Sequence, residues 1–198
     1  MERSFLEAVK NRRSVYGISK EKLVSEEKIQ ELVKELMLHT PSAFNSQSAR
    51  VVLLFDEQHD KLWDMTSYVL KKIVPEEAFA QTQEKLDGFK GGYGTLLFFE
   101  DQSVVEGLQE AFSLYKDNFP VWSLQSSGML QYAIWTQLSD LGLGASLQHY
   151  NPLIDEEVKK EWSIPDKWKL LAQMPFGKAV EHAGDKAFSP IEERIKVF

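Results

Sequence analysis

The sequence predicts an α+β fold in one domain spanning residues 1–198. Three observations predict it. Apolar, strand-like runs follow one another at irregular intervals rather than in a regular strand–helix–strand rhythm. The stretch "VWSLQSSGMLQYAIWTQLSDLGLG" is long and apolar around much of its circumference, as a central buried helix would be. The length suits one domain, and 43% hydrophobic with 27% charged residues is an ordinary globular balance.

"SFLEAVKNRR" places Phe5, Leu6 and Val9 at helical spacing, with basic residues in the last turn, where the helix dipole favours them. "SEEKIQELVKELMLH" reads as a helix capped by Ser25, with Ile29, Leu32, Val33, Leu36 and Met37 on one face; Pro41 stops it. "ARVVLLFD" reads as a buried strand. "DKLWDMTSYVLKKIV" and "PEEAFAQTQEKLDGF" read as helices, the second with Pro75 near its first position. The turn "KGGYG" leads into a second buried strand, "TLLFFED", and a short helix, "SVVEGLQEAF". Gly142 and Gly144 end the central helix, and "ASLQHYNP" follows as a strand with a loop. "DEEVKKEWS" is a short charged helix, "WKLLAQMPFGKAV" a further strand, and the tail "DKAFSPIEERIKVF" carries an apolar–basic alternation suited to pairing with a sheet edge.

A formal charge of -7 and a pI near 5.2 argue against a general nucleic-acid binder, which needs a basic surface to neutralise phosphates. With no cysteine, the chain has no disulfides, thiolate catalysis or Cys-type zinc sites. The N-terminus lacks a signal-peptide core, and no apolar run approaches the roughly 20 residues that cross a bilayer. A soluble cytoplasmic protein that binds no membrane is expected. GxSxG, GxxxxGK[ST] and GxGxxG are all absent, and no paired-carboxylate motif stands out.

Four segments carry possible chemistry. "NRRSVYG" is either a phosphate grip, through bidentate guanidinium bonds, or a solvated basic turn. "TPSAFNSQS" offers neutral hydroxyls and amides, either to its own backbone or to a planar heterocycle. "GLGASLQHYNP" follows the central helix with glycines that allow close backbone approach to a ligand. His149 is open to three readings, a general acid, a zinc ligand or a plain hydrogen-bonding loop residue; the histidines at 39, 59, 149 and 182 form no i, i+4 pair, which argues against a metal site and leaves the loop residue as the default. In "SPIEERIKVF", Arg194 and Lys196 either sit on a solvated edge or complete a phosphate site begun by Arg12 and Ser14.

Taken in order, these segments resemble the nitroreductase family of FMN-dependent oxidoreductases. The likeness rests on Arg12, Arg13 and Ser14 as an Arg-x-Ser element, and on Pro41, Ser42, Asn45, Ser46 and Gln47 as a "PS-x-x-NSQ" loop. It also rests on "DLGLGASLQHYNP" and on the basic tail. "GGYGTLLFFED", "MPFGKAV" and "PIEERIKVF" are similar to the short branch of fungal fatty-acid-repression proteins and copper-induced bacterial nitroreductases.

The resemblance implies a mainly antiparallel sheet flanked by helices, with the long central helix at the interface of a homodimer that holds FMN between its subunits. Arg12, Ser14 and Arg194 would hold the phosphate and ribityl end, with Arg13 and Lys196 also binding the cofactor, and Tyr16 would lie close to the flavin N1/O2 edge. Gln125 would face inward near the ribityl chain or ring edge. Ser146, Leu147, Gln148 and His149 would line the isoalloxazine, with a backbone N–H near N5. Pro41, Ser42, Ala43, Asn45 and Gln47 would come from the other subunit. Tyr16 stands where many relatives carry a cation, and Gln148 and His149 replace their usual acidic-Gly pair.

The activity implied is ping-pong reduction of a nitroaromatic or quinone by NADH or NADPH, with no catalytic residue from the protein because the flavin carries the chemistry. The rival expectation is an FMN-binding sensor in stress or lipid signalling with little turnover.

Overall fold

In the computed structural model, which describes residues 4–198, the sheet forms from the most apolar segments. β1 (Ile18–Ser19), β2 (Ala49–Phe55), β3 (Gly94–Asp101), β4 (Leu143–Ala145) and β5 (Trp168–Ala179) make one 5-stranded sheet. Its order is β1-β5-β3-β2, β4 also pairs with β5, and the pairings are antiparallel. β3 lies inside the sheet with both faces covered, which is why "TLLFFED" reads as an almost unbroken apolar run.

Among the described residues, seven helices flank the sheet: α1 (Phe5–Asn11), α2 (Glu26–His39), α3 (Asp56–Leu70), α4 (Glu76–Lys90), α5 (Gln102–Ala111), α6 (Phe119–Asp140) and α7 (Asp155–Glu161). Successive side chains of a strand point to opposite faces, and this divides the core in two. Leu96 and Phe98 meet Ile29 and Val33 of α2 and Leu130 and Ile134 of α6. Leu97 and Phe99 meet Leu62 and Trp63 of α3, Leu86 and Phe89 of α4 and Val158 of α7. The expected α+β class and antiparallel sheet are both present. Ser25 caps α2 as expected, its Oγ accepting the Lys28 N–H at 3.2 Å.

Several expectations need correction. The central helix ends at Asp140; Gly142 makes the turn at φ 83°, and Gly144 already belongs to β4. α6 is buried on one side only, because Val121, Leu124, Met129 and Tyr132 stay exposed. "ASLQHYNP" contributes only Ala145 to a strand, and Gln148 makes an isolated bridge to Gln173. β1 has no counterpart in the sequence reading, being too short for a periodic signal. The tail pairs with no strand of its own chain; from Val180 it is exposed almost throughout, with one 3-10 turn at Ile191–Glu193. Among the described residues no helix is long and apolar enough to cross a membrane.

Candidate functional site

α1 ends at Asn11, and the backbone of the capping residue Arg12 turns extended (φ -63°, ψ 118°) and releases the next residues from the helix. The Val15 N–H then donates to the Ala145 carbonyl at 3.0 Å, which seats this segment against β4. The approach is close. A Cβ on Gly144 would lie 2.8 Å from Val15 Cγ1, so only glycine fits there without displacement.

Arg12, Arg13, Ser14 and Tyr16 thereby line one wall of a cleft of about 460 Å³, and residues Glu181 to Lys186 form the other. Arg13 Nη2 donates to the Gly184 carbonyl at 2.6 Å, and Glu181 accepts the Gly17 N–H at 2.7 Å. Arg12 is held differently. Its guanidinium stacks over Trp135 of α6, with Cζ 4.4 Å from the ring centroid, and lies 5.8 Å from the Tyr132 ring. Its Nε is buried without a hydrogen-bond partner. A buried donor left open on a stacked cation suits a bound anion.

The four ring-strand residues divide by alternation. Ser146 and Gln148 are buried, and Gln148 Nε2 donates to Ser146 Oγ at 3.0 Å. Their own N–H groups go to the carbonyls of Pro175 and Gln173, at 3.4 and 2.7 Å. Leu147 is half-buried and His149 exposed, and neither N–H has a partner among the described residues. Of the four residues expected along the ring, Ser146 and Gln148 are thus the buried pair and Leu147 and His149 the more accessible pair. The Leu147 side chain packs against the core and that of His149 is exposed, and both residues leave N–H groups open, while Ser146 and Gln148 bond to each other behind them.

The polar loop is held by a residue the sequence reading passed over. Phe44 sits in an aromatic nest, with ring centroids 4.9 Å from Phe112, 5.2 Å from Phe119 and 6.1 Å from Trp122. Phe44, Asn45 and Gln47 all take left-handed backbone angles (φ 57°, 50° and 48°), which non-glycine residues seldom adopt. Ser42 stabilises the turn, its Oγ accepting the Gln47 N–H at 3.0 Å. The outcome is a rigid loop with Asn45 exposed and its side-chain amide unpaired among the described residues. The clue in the sequence was the concentration of aromatics from Phe112 to Trp122.

Gln125 is exposed on α6, where it borders a recess of about 360 Å³ with Ala43, Phe44 and Trp122. The expectation that it faces inward is corrected, since the inward positions of that turn are Ser123, Ser126 and Ser127. Behind the loop, a second cavity of about 460 Å³ is walled by Pro41, Ser42, Gln47, Ser48, Ser126 and Leu130. Glu100 lies across the strand pair from Ala49, fully buried, and neither carboxyl oxygen makes a hydrogen bond. Burial pushes it up to about 7, against weaker opposing effects of Ser48 and Arg50.

Arg12, Arg13, Ser14 and Tyr16 thus share the cleft, and the Val15–Ala145 bond ties it to the strand leading to Leu147 and His149. Pro41, Ser42, Ala43, Asn45, Gln47 and Gln125 gather instead at the Phe44 end of α6. Arg194 and Lys196 join neither group. They sit on the exposed tail of this chain, and the basic residues lining the cleft beside Arg12 and Arg13 are His182 and Lys186.

A family model described as the nitroreductase family matches residues 9–178. The structure of nitroreductase CinD from Lactococcus lactis in complex with chloramphenicol superposes with a TM-score of 0.90 at 48% identity, covering 98% of this chain and 100% of that one. The nitroreductase FRM2 of Saccharomyces cerevisiae is 31% identical over 187 residues, 93% of each protein. A structure from Desulfovibrio desulfuricans in complex with FMN shares the fold, with a TM-score of 0.69 at 18% identity over 100% of this chain and 99% of that one.

Proposed function

Because the chain belongs to the nitroreductase family and is an oxidoreductase, we propose that it is a cytoplasmic, FMN-dependent NAD(P)H nitroreductase working as a homodimer. The observation that carries the cofactor assignment is Arg12: a stacked guanidinium with an unpaired buried Nε, facing a cleft of about 460 Å³. When bound, FMN would supply two-electron redox chemistry of the ping-pong kind, with NADH or NADPH as the reductant and a nitroaromatic or quinone as the acceptor.

The chain's own residues bind and orient. Arg12 and Lys186 would neutralise the phosphate, Ser14 would donate a hydrogen bond to it, and Arg13 fixes the opposite wall through Gly184. The free N–H groups of Leu147 and His149 would be available to donate to the edge of a bound ring, where a donor stabilises negative charge that develops on reduction. No acid–base pair is required of the protein, since water supplies protons to the acceptor.

The homodimer reading rests on α6. Val121, Leu124, Met129 and Tyr132 leave an apolar stripe uncovered between the loop group and the cleft group. Trp135 lies ten residues beyond Gln125, so about 15 Å of helix separates the groups within one chain. Packing this stripe against a second copy by a two-fold axis would bring one chain's Asn45 loop to the other's cleft. The apolar tail and the free edge of β2 are further surfaces that a second copy would cover.

The test is an absorbance spectrum of the purified protein, followed by anaerobic addition of each nicotinamide. A yellow protein that NADH or NADPH bleaches, and that a nitroaromatic or quinone re-oxidises, is expected. Initial rates should give parallel double-reciprocal lines. A colourless protein that takes up no added FMN refutes the reading.

A further inference from the structure

We propose that Trp135 is a positioning residue for the cofactor phosphate, setting the plane of the Arg12 guanidinium and joining it to the strand that presents Leu147 and His149. The inference rests on the FMN reading above and assigns a role to a half-buried aromatic outside the cleft lining.

The indole does two separate things. Its face lies under the guanidinium, with Arg12 Cζ 4.4 Å from the ring centroid. Its Nε1–H donates to the Ala145 carbonyl at 3.2 Å, the same carbonyl that accepts the Val15 N–H at 3.0 Å. Val15 lies three residues beyond Arg12, and Ala145 directly precedes Ser146. One side chain on a rigid helix therefore touches both arms of the proposed site. The tight contact of Gly144 with Val15 leaves those arms no slack.

An arginine at a helix end normally samples many rotamers, and an anion that captures it must first order it. Here stacking on Trp135 orders the side chain in advance. It also satisfies the guanidinium plane without using any N–H, so the hydrogen-bonding edge stays open. The other nearby cation differs in this respect: Arg13 already spends Nη2 on Gly184. Arg12 is thus the pre-organised phosphate ligand, and Trp135 is what pre-organises it.

The experiment compares FMN with riboflavin, which has the ring and ribityl chain but no phosphate, by quenching of flavin fluorescence on titration. Trp135→Leu should weaken FMN about tenfold and riboflavin less than about twofold. Trp135→Phe keeps an aromatic ring in the core and is the safer variant for folding; it should weaken FMN alone by roughly two- to fourfold. In an Arg12→Gln background, Trp135→Leu should have little further effect on FMN, because the two residues act as one unit. Equal losses for FMN and riboflavin in Trp135→Phe would overturn the proposal, since that is what a general packing role produces. An undiminished loss in the Arg12→Gln background overturns it as well. Wild-type protein that binds neither flavin refutes the FMN reading itself, and this inference with it.

Discussion

Replacing Glu100 by Gln is expected to stabilise the protein progressively as pH rises. Glu100 is fully buried on β3 with no hydrogen bond to either oxygen, and burial raises it from the ordinary 4.5 to about 7. The unfolded chain gives up this proton near 4.5 while the folded chain keeps it to about 7. Between those values the folded state binds more protons, so stability is full below 4.5 and is lost as pH rises toward and through 7. At ~1.4 kcal/mol per pH unit, the penalty accumulated between pH 5 and pH 8 is about 2 kcal/mol. Gln carries no such proton, so the stability gap in favour of Glu100→Gln should widen by about 2 kcal/mol over that range. Urea unfolding of both proteins at several pH values, at one fixed protein concentration, measures the gap. A difference that stays constant from pH 5 to 8, or shrinks, would show that the carboxyl is solvated or paired and would refute the reasoning.

Three further outcomes are expected. His59 is buried, its ring nitrogens facing Thr95 Oγ1 at 2.8 Å and the Lys90 carbonyl at 3.3 Å, and burial lowers it from 6.5 to about 4. The unfolded chain protonates first there, so roughly 2–3 kcal/mol of stability should be lost as pH falls from 6.5 toward 4, and His59→Gln should flatten that acid limb in urea titrations. Phe98→Ala removes a ring from the core between the sheet and α6, and should cost about 3–5 kcal/mol in chemical denaturation. Asn45→Ala should weaken FMN binding and dimer association together, read by flavin titration and sedimentation, while secondary structure by circular dichroism is unchanged; unaltered flavin affinity would return the loop to a merely self-satisfied turn.

Most of the fold was legible where the pattern was local. The amphipathic face of α2, its Ser25 cap and the apolar runs of β2 and β3 are each written within about a dozen residues, and tertiary packing left them in place. The site was legible in its parts. Arg12 and Ser14 stood out as a basic element next to a hydroxyl, and the structure seats them in a cleft. Lys186 was passed over because Arg194 and Lys196 sat in a more regular alternation, yet proximity to Arg12 depends on where the chain leaves β5. Phe44 was hidden among polar neighbours, because its partners come from α6 and the segment before it. Gln125 was assigned an inward face because α6 is apolar nearly all round, and its own sequence carries no phase that distinguishes core from surface.

The sequence by itself determined the helices and the long apolar strands β2, β3 and β5, since capping, alternation and backbone restriction act between near neighbours; the short β1 and β4 lay outside its reach. It also determined the family, through motifs whose order survives without any knowledge of contacts. Only the tertiary structure decided which face of α6 is left bare, that Arg12 lies on Trp135, and that Leu147 and His149, rather than Ser146 and Gln148, offer free N–H groups. Those outcomes depend on register between β4 and β5 and on the packing of segments more than a hundred residues apart. The physical reason is that a side chain's partners are set by which surfaces meet, and no local pattern in the chain encodes that meeting.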